Sequence, residues 1–264
     1  MIVRSADGTT IGVERVGDGG DGPPLVVVPG ALSDVASWSA CAPLLADGRS
    51  VHVIDRRGRG ASGDAEAYEV ERVIEDVLAV LDGLARPTDL LGHSSGAILA
   101  LGTAERSPAH LRRLVLYEPP VFIGDEDRIP PDLPARLDTL LAEGDEAGAL
   151  ETFLREGPRT PDPEIEWLRA HQGWQRMLTM VRTVPYDARI SQGFDLDLGR
   201  LTSMQTPTLM LIGSLSPPRM RDGSEAIAAS LPDVLVEELD GQAHLAQVLA
   251  PDAFAAAVLR FLAG

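Results

Sequence analysis

The sequence predicts an α/β fold: a mostly parallel sheet flanked by helices, with a helical lid inserted into it. Three observations carry that expectation. Short continuous apolar runs, the mark of strands buried on both faces, alternate along the chain with longer runs of helical spacing. One such run, beginning at Thr88, passes through the tight turn Gly92-His93-Ser94-Ser95-Gly96 directly into an apolar helix. From Val121 to about Arg200 the composition then shifts to proline, charge and short helical pieces. The expected division is therefore a core of residues 1–120 and 201–264 and a lid of residues 121–200.

Taken in order, residues 2–16 hold an Asp-Gly turn between two alternating apolar runs, which predicts an opening hairpin. Pro24 to Val28 is a β-branched run that reads as a buried strand, ending in Pro29-Gly30-Ala31-Leu32-Ser33. Ser33 to Ala46 is expected to be a helix with Trp38 and Leu44-Leu45 on its apolar side, and Arg49 to Asp55 the next strand. Gly58-x-Gly60-x-x-Gly63 follows that strand and raises a dinucleotide-binding reading. The fingerprint should open a helix at once within the first βαβ unit, whereas here Asp64 to Tyr68 delays the helix, which runs from Val70 to Leu84. Further strands are expected at Leu111 to Tyr117, Thr206 to Ile212 and Val234 to Leu239, and helices at Asp222 to Ser230 and Pro251 to Leu262.

Composition narrows the function. A net charge of −17 repels nucleic acid and anionic membrane surfaces. All 23 basic residues are arginine, so neither Schiff-base chemistry nor a P-loop lysine is available. Cys41 is the single cysteine, and the five histidines lack metal-ligand spacing, so no metal and no cofactor are expected. No apolar run approaches the roughly 18–20 residues of a membrane span, and the N-terminus lacks a signal-peptide apolar core. The expectation is a cytoplasmic enzyme whose partner is a small-molecule substrate; its oligomeric state is left open.

The strand, turn and helix around Gly92 to Gly96 are the context in which G-x-S-x-G forms a nucleophile elbow, making Ser94 the candidate nucleophile. A serine hydroxyl needs a base. Of the histidines, His52 lies in a strand, His93 in the turn itself, His110 before an edge-side strand and His171 in the lid, which leaves His244 after the last strand. Two backbone amides are candidates for the oxyanion hole, those of Ala31 and Ser95.

These blocks, in this order, resemble the α/β-hydrolase fold family over essentially the whole chain. Pro29-Gly30-Ala31 is similar to its oxyanion loop, Asp55 to Ser62 to its D-x-R-G-x-G-x-S loop, and Gly241 to His244 to its histidine loop. One position departs from it. The family's acid usually follows the strand at Thr208 to Ile212 in a G-x-x-D pattern, and here Gly213-Ser214-Leu215-Ser216 stands instead. Glu118, at the end of the strand after the elbow helix, is the alternative acid, with Asp222 and Asp240 as weaker ones. Its position and the S-S-G elbow resemble the lactone hydrolases that open zearalenone, which also carry a tract similar to Arg182 to Pro185.

The resemblance implies a serine esterase or lactonase with Ser94, His244 and Glu118 as its triad. The same residues serve carbon–carbon bond hydrolysis, acyl transfer and cofactor-free perhydrolase chemistry. A catalytically silent scaffold that binds a small ligand is a reading of a different class, supported by the missing aspartate. Leu32, Trp174, Met177 and Tyr186, with Trp167 and Met180, are candidates to line an apolar substrate pocket, a role that packing of the lid on the body explains equally well.

Overall fold

The computed structural model describes residues 1–65, 68–123, 128–193 and 198–264; residues 124–127 and 194–197 of the predicted lid lie outside the described residues. In chain order the elements are β1 (Ile2–Arg4), β2 (Thr10–Val16), β3 (Leu25–Val28), α1 (Ala42–Leu45), β4 (Val51–Ile54), α2 (Val70–Leu84), β5 (Thr88–His93), α3 (Ser95–Arg106) and β6 (Leu111–Tyr117). Then come α4 (Leu133–Ala142), α5 (Glu146–Glu156), α6 (Asp162–Arg169), α7 (Gln172–Leu178), α8 (Val184–Gly193) and α9 (Leu198–Leu201), all between β6 and β7 (Thr208–Gly213). The chain ends with α10 (Pro218–Ser230), β8 (Val234–Leu239), α11 (Ala246–Leu249) and α12 (Pro251–Ala263).

The eight strands form one sheet in the order β1-β2-β4-β3-β5-β6-β7-β8. The β1/β2 and β2/β4 pairs are antiparallel and all others parallel. From β3 the chain first adds β4 on one side and then returns to add β5 on the other. That reversal opens a crevice at the carboxyl ends of β3 and β5, where open α/β sheets place their sites.

The apolar runs serve two cores at once because side chains alternate across a strand. Val26 and Val28 join Leu90, Leu114, Leu116 and Met210 beneath α2 and α3, while Leu25 and Val27 join Leu91, Val115, Leu209, Trp38 and Phe254 on the opposite face. Each fully buried Val or Leu contributes about 1.5–3 kcal/mol. A third cluster lies within the β6–β7 insert, built from Leu133, Leu137, Leu150, Phe153, Trp174 and Val181 among others, with Ala31 and Leu32 packed against it. No described helix is long and apolar enough to cross a membrane.

The helix expected over Ser33 to Ala46 is two short pieces. A 3-10 turn spans Val35–Trp38, closed by a reciprocal cap between Asp34 and Ser37, and α1 starts only at Ala42. Pro43 explains the break, because it has no N–H to donate and fits only the first turn of a helix. Leu45 is buried and Leu44 is exposed, so the two do not share an apolar side. Helix α10 begins four residues earlier than Asp222, at Pro218, whose ring presets the helical φ. The glycine-rich stretch after β4 is a folded loop: the Asp55 carboxylate accepts from the Val35 and Ala61 amides, both at 2.9 Å.

Candidate active site

Ser94 directly follows β5 and stands at the N-cap position of α3 with φ 55° and ψ −129°, a conformation rare outside glycine that the surrounding packing must impose. Its amide donates to the Tyr117 carbonyl at 2.9 Å, extending the β5/β6 ladder past the last strand residue. The turn closes so tightly that a Cβ at Gly92 would lie 2.4 Å from the Gly96 carbonyl oxygen, and one at Gly96 only 2.1 Å from that of Val28. On the β3 side, a Cβ at Gly30 would meet Ser94 Cβ at 2.8 Å. The loop that carries the Ala31 amide is thus pressed directly onto Ser94, and α3 directs its N-terminal amides and dipole at the same spot.

Glu118 stands one residue past β6, fully buried and also at positive φ, 46°. Its Oε2 takes the Nδ1–H of His244 at 2.7 Å. Its Oε1 accepts from the Gly213 amide at 2.7 Å and from the Ser216 hydroxyl at 2.5 Å. Burial pushes this carboxyl up, but the hydrogen bonds and charge of His244, together with Ser216 and Gly213, hold it below its ordinary value. It is ionised at neutral pH. The carboxylate fixes the proton of His244 on Nδ1, leaving Nε2 as the basic nitrogen.

The histidine loop is clamped from beneath. Tyr117 donates its hydroxyl hydrogen to the Ala243 carbonyl and accepts from the Ala246 amide at 3.1 Å. His93, beside Ser94, faces the His244 carbonyl through Nε2 at 2.9 Å, so that nitrogen carries the proton. The two imidazole rings lie 4.7 Å apart. Burial first, and then the neighbouring His244, drive the His93 pKa well below the ordinary value, so it stays neutral.

Of the residues singled out from the sequence, the fold brings His244 and Glu118 into direct contact and sets Ser94, Ser95 and the Ala31 loop beside them. The Ser94 hydroxyl is hydrogen-bonded to neither partner among the described residues; such contacts commonly tighten only with substrate bound. Asp222 and Asp240 are exposed. Trp174 is buried in the core of the insert, with Met177 and Leu32 half-buried against it. Tyr186 stacks on Tyr68 at 4.0 Å and bonds to Asp64 at 3.1 Å. Trp167 is exposed, stacked on His171.

Sequence reasoning missed two features. Ser216, read only as the residue that displaces an aspartate, is a donor to Glu118. Asp187 of α8 accepts from Arg56, Arg59 and the Ser95 hydroxyl, all in the interior. The three arginines of the Asp55 to Ser62 loop were the available signal, since charges in a buried loop need partners.

Comparison with known proteins agrees with this architecture. The chain is 30% identical to N-formylmaleamate deformylase of Pseudomonas putida, over 92% of this chain and 90% of that protein. It is 28% identical to a pimeloyl-[acyl-carrier protein] methyl ester esterase of Aeromonas hydrophila, over 78% and 81% of the two chains. The crystal structure of an alpha/beta hydrolase from Sphaerobacter thermophilus superposes with a TM-score of 0.89 at 37% identity, covering 99% of each chain. Residues 25–257 match the model of the alpha/beta hydrolase family, and the chain belongs to that family.

Proposed function

We propose that this protein is a serine hydrolase that cleaves a carboxylic ester or lactone of an apolar small molecule through an acyl-enzyme. The observation that carries this reading is the 2.7 Å contact between Glu118 Oε2, just past β6, and His244 Nδ1, in the loop after β8, beside the strained Ser94. His244 Nε2 takes the proton of Ser94 Oγ as the oxygen attacks the carbonyl carbon. The Ala31 and Ser95 amides receive the developing oxyanion, and Glu118 stabilises the imidazolium. Collapse of the tetrahedral species breaks the bond to the leaving oxygen, which takes the proton from His244. Water, deprotonated by the same nitrogen, then releases the acid and restores Ser94.

The helical insert between β6 and β7 acts as the lid, its apolar cluster resting on Ala31 and Leu32 beside the reacting carbonyl. The relative named as a deformylase supports a second substrate class, an N-formyl amide, cleaved by the same steps with nitrogen as the leaving atom. The test is product mass after incubation with p-nitrophenyl butyrate, a resorcylic macrolactone and an N-formyl amide, beside a Ser94→Ala control. Addition of one water by the wild type alone supports the reading and selects the class. No turnover of any of them, with no phosphonate adduct on Ser94, would establish a silent binding scaffold instead.

A further inference from the structure

The loop after β4 carries three buried arginines that divide their work. Arg57 turns away from the site to pair with Asp76 and Asp7. Arg56 and Arg59, each only 3% exposed, turn toward it. Both donate to one acceptor, the Gly30 carbonyl oxygen, at 3.1 Å and 2.7 Å. Arg59 also donates to the Ser33 carbonyl at 3.0 Å and to Thr183 Oγ1 at 2.9 Å.

Asp187 of α8 sits between the two guanidinium groups, one oxygen paired with each. Its Oδ1 also accepts from the Ser95 hydroxyl at 3.1 Å, and Arg56 Nη1 donates to that hydroxyl oxygen at 3.2 Å. Burial would raise the Asp187 carboxyl, but the two arginines hold it below its ordinary value. Burial and the neighbouring Arg56 bring Arg59 down to about 10, still charged at neutral pH. Two positive charges and one negative are therefore sealed beside the elbow, a costly arrangement unless the surplus charge has an acceptor.

That acceptor is informative. The Gly30 carbonyl and the Ala31 N–H are the two ends of one planar peptide unit. Two charged donors on its oxygen fix the plane in which the N–H points. They also draw electron density from the amide, which makes its hydrogen a stronger donor. On the other side of the site, the same cluster grips the side chain of Ser95, whose backbone N–H begins α3.

We propose that Arg56, Arg59 and Asp187 are positioning residues that orient and polarise both amides of the oxyanion hole, and that the helical insert, by supplying Asp187, completes that hole when it docks. This rests on the serine-hydrolase reading. It adds that a group contributed by the insert supports transition-state binding while leaving substrate binding alone.

Two variants test it. Arg59→Met removes the shorter bond to Gly30 and leaves Arg56 and Asp187 as a balanced pair; Ser95→Ala keeps the amide and deletes only its tether. The probes are p-nitrophenyl butyrate for turnover, an aryl trifluoromethyl ketone that forms an oxyanionic hemiketal with a serine, and its methyl ketone parent as a ground-state ligand. Loss of one full oxyanion donor costs about 100- to 1000-fold in kcat. Weakening one in Arg59→Met is expected to lower kcat roughly 10- to 100-fold. Trifluoromethyl ketone affinity should fall by the same factor, with KM and methyl ketone affinity unchanged. Ser95→Ala should show the same split at smaller size. If either folded variant loses thermal stability alone, or loses affinity for both ketones in parallel, the cluster is purely structural and the proposal is overturned. A wild type that neither turns over the ester nor forms the hemiketal would instead remove the hydrolase reading, and this inference with it.

Discussion

Replacing Glu118 by glutamine changes one atom of the site, and the structure dictates which way the new amide must face. The Oε1 position receives two hydrogens, from the Gly213 amide and the Ser216 hydroxyl. Serine can rotate to accept, but a backbone N–H can only donate. The glutamine oxygen is therefore held at Gly213, and its NH2 is turned to His244 Nδ1. To accept from that NH2, Nδ1 must give up its hydrogen, which moves the proton to Nε2 and leaves no lone pair to deprotonate Ser94. Every hydrogen bond is remade, so the fold should lose no more than about 1 kcal/mol, a shift of roughly 2–4 °C in melting temperature. Turnover should fall about ten-thousandfold, since both the tautomer and the charge that stabilises the imidazolium are lost. That is about 5.5 kcal/mol of barrier. The assay is release of p-nitrophenolate from p-nitrophenyl butyrate at pH 7, with circular dichroism to follow the melt. A kcat within tenfold of the wild type in a folded Glu118→Gln protein would refute the assignment of Glu118 as the acid.

Two further perturbations read the same neighbourhood through stability. His93 is kept neutral by burial, with His244 adding to the effect. Below about pH 6.5 the unfolded chain takes up a proton that the folded one refuses. Stability is therefore full above that value and declines as pH falls, by up to about 1.4 kcal/mol per pH unit until the lowered folded value is reached. Urea unfolding between pH 6.5 and 5 should show a shallower slope in His93→Asn than in the wild type, and equal slopes would be inconsistent with a buried neutral His93. Ser216→Ala removes a hydrogen bond to a buried carboxylate, worth about 1.5–3 kcal/mol at pH 7. Glu118 is held below its ordinary value, so this contribution is present above the carboxylate range and lost as pH falls through it. The gap between variant and wild type should close in acid; a gap independent of pH would mean that Ser216 supports packing and not the charge.

What could be read from the chain alone was what local spacing encodes. The elbow announces itself because a sharp strand-to-helix turn tolerates so few side chains at Gly92 and Gly96, and both of its glycines fall within five residues of sequence. The strands were legible because burial on two faces leaves room only for apolar residues, as in Val26 to Val28 and Leu114 to Tyr117. His244 is the candidate base by elimination among five histidines. The helix expected over Ser33 to Ala46 is broken for an equally local reason, since Pro43 interrupts the apolar spacing and fits only the first turn of a helix.

The charged groups around the site were of another kind. Ser216 meets Glu118 across 98 residues, and Asp187 meets Ser95 across 92, because neighbouring strand ends and the docking of the insert bring them together. No periodicity records such a meeting. Hydrophobic and turn patterns repeat within a segment, so the sequence by itself determined the strands, most of the core helices, their order and the serine turn. The hydrogen-bond partners of a buried charge depend on which segments end at the same place in space, so the contacts of Glu118 and of the Arg56, Arg59 and Asp187 cluster were decided only by the tertiary structure.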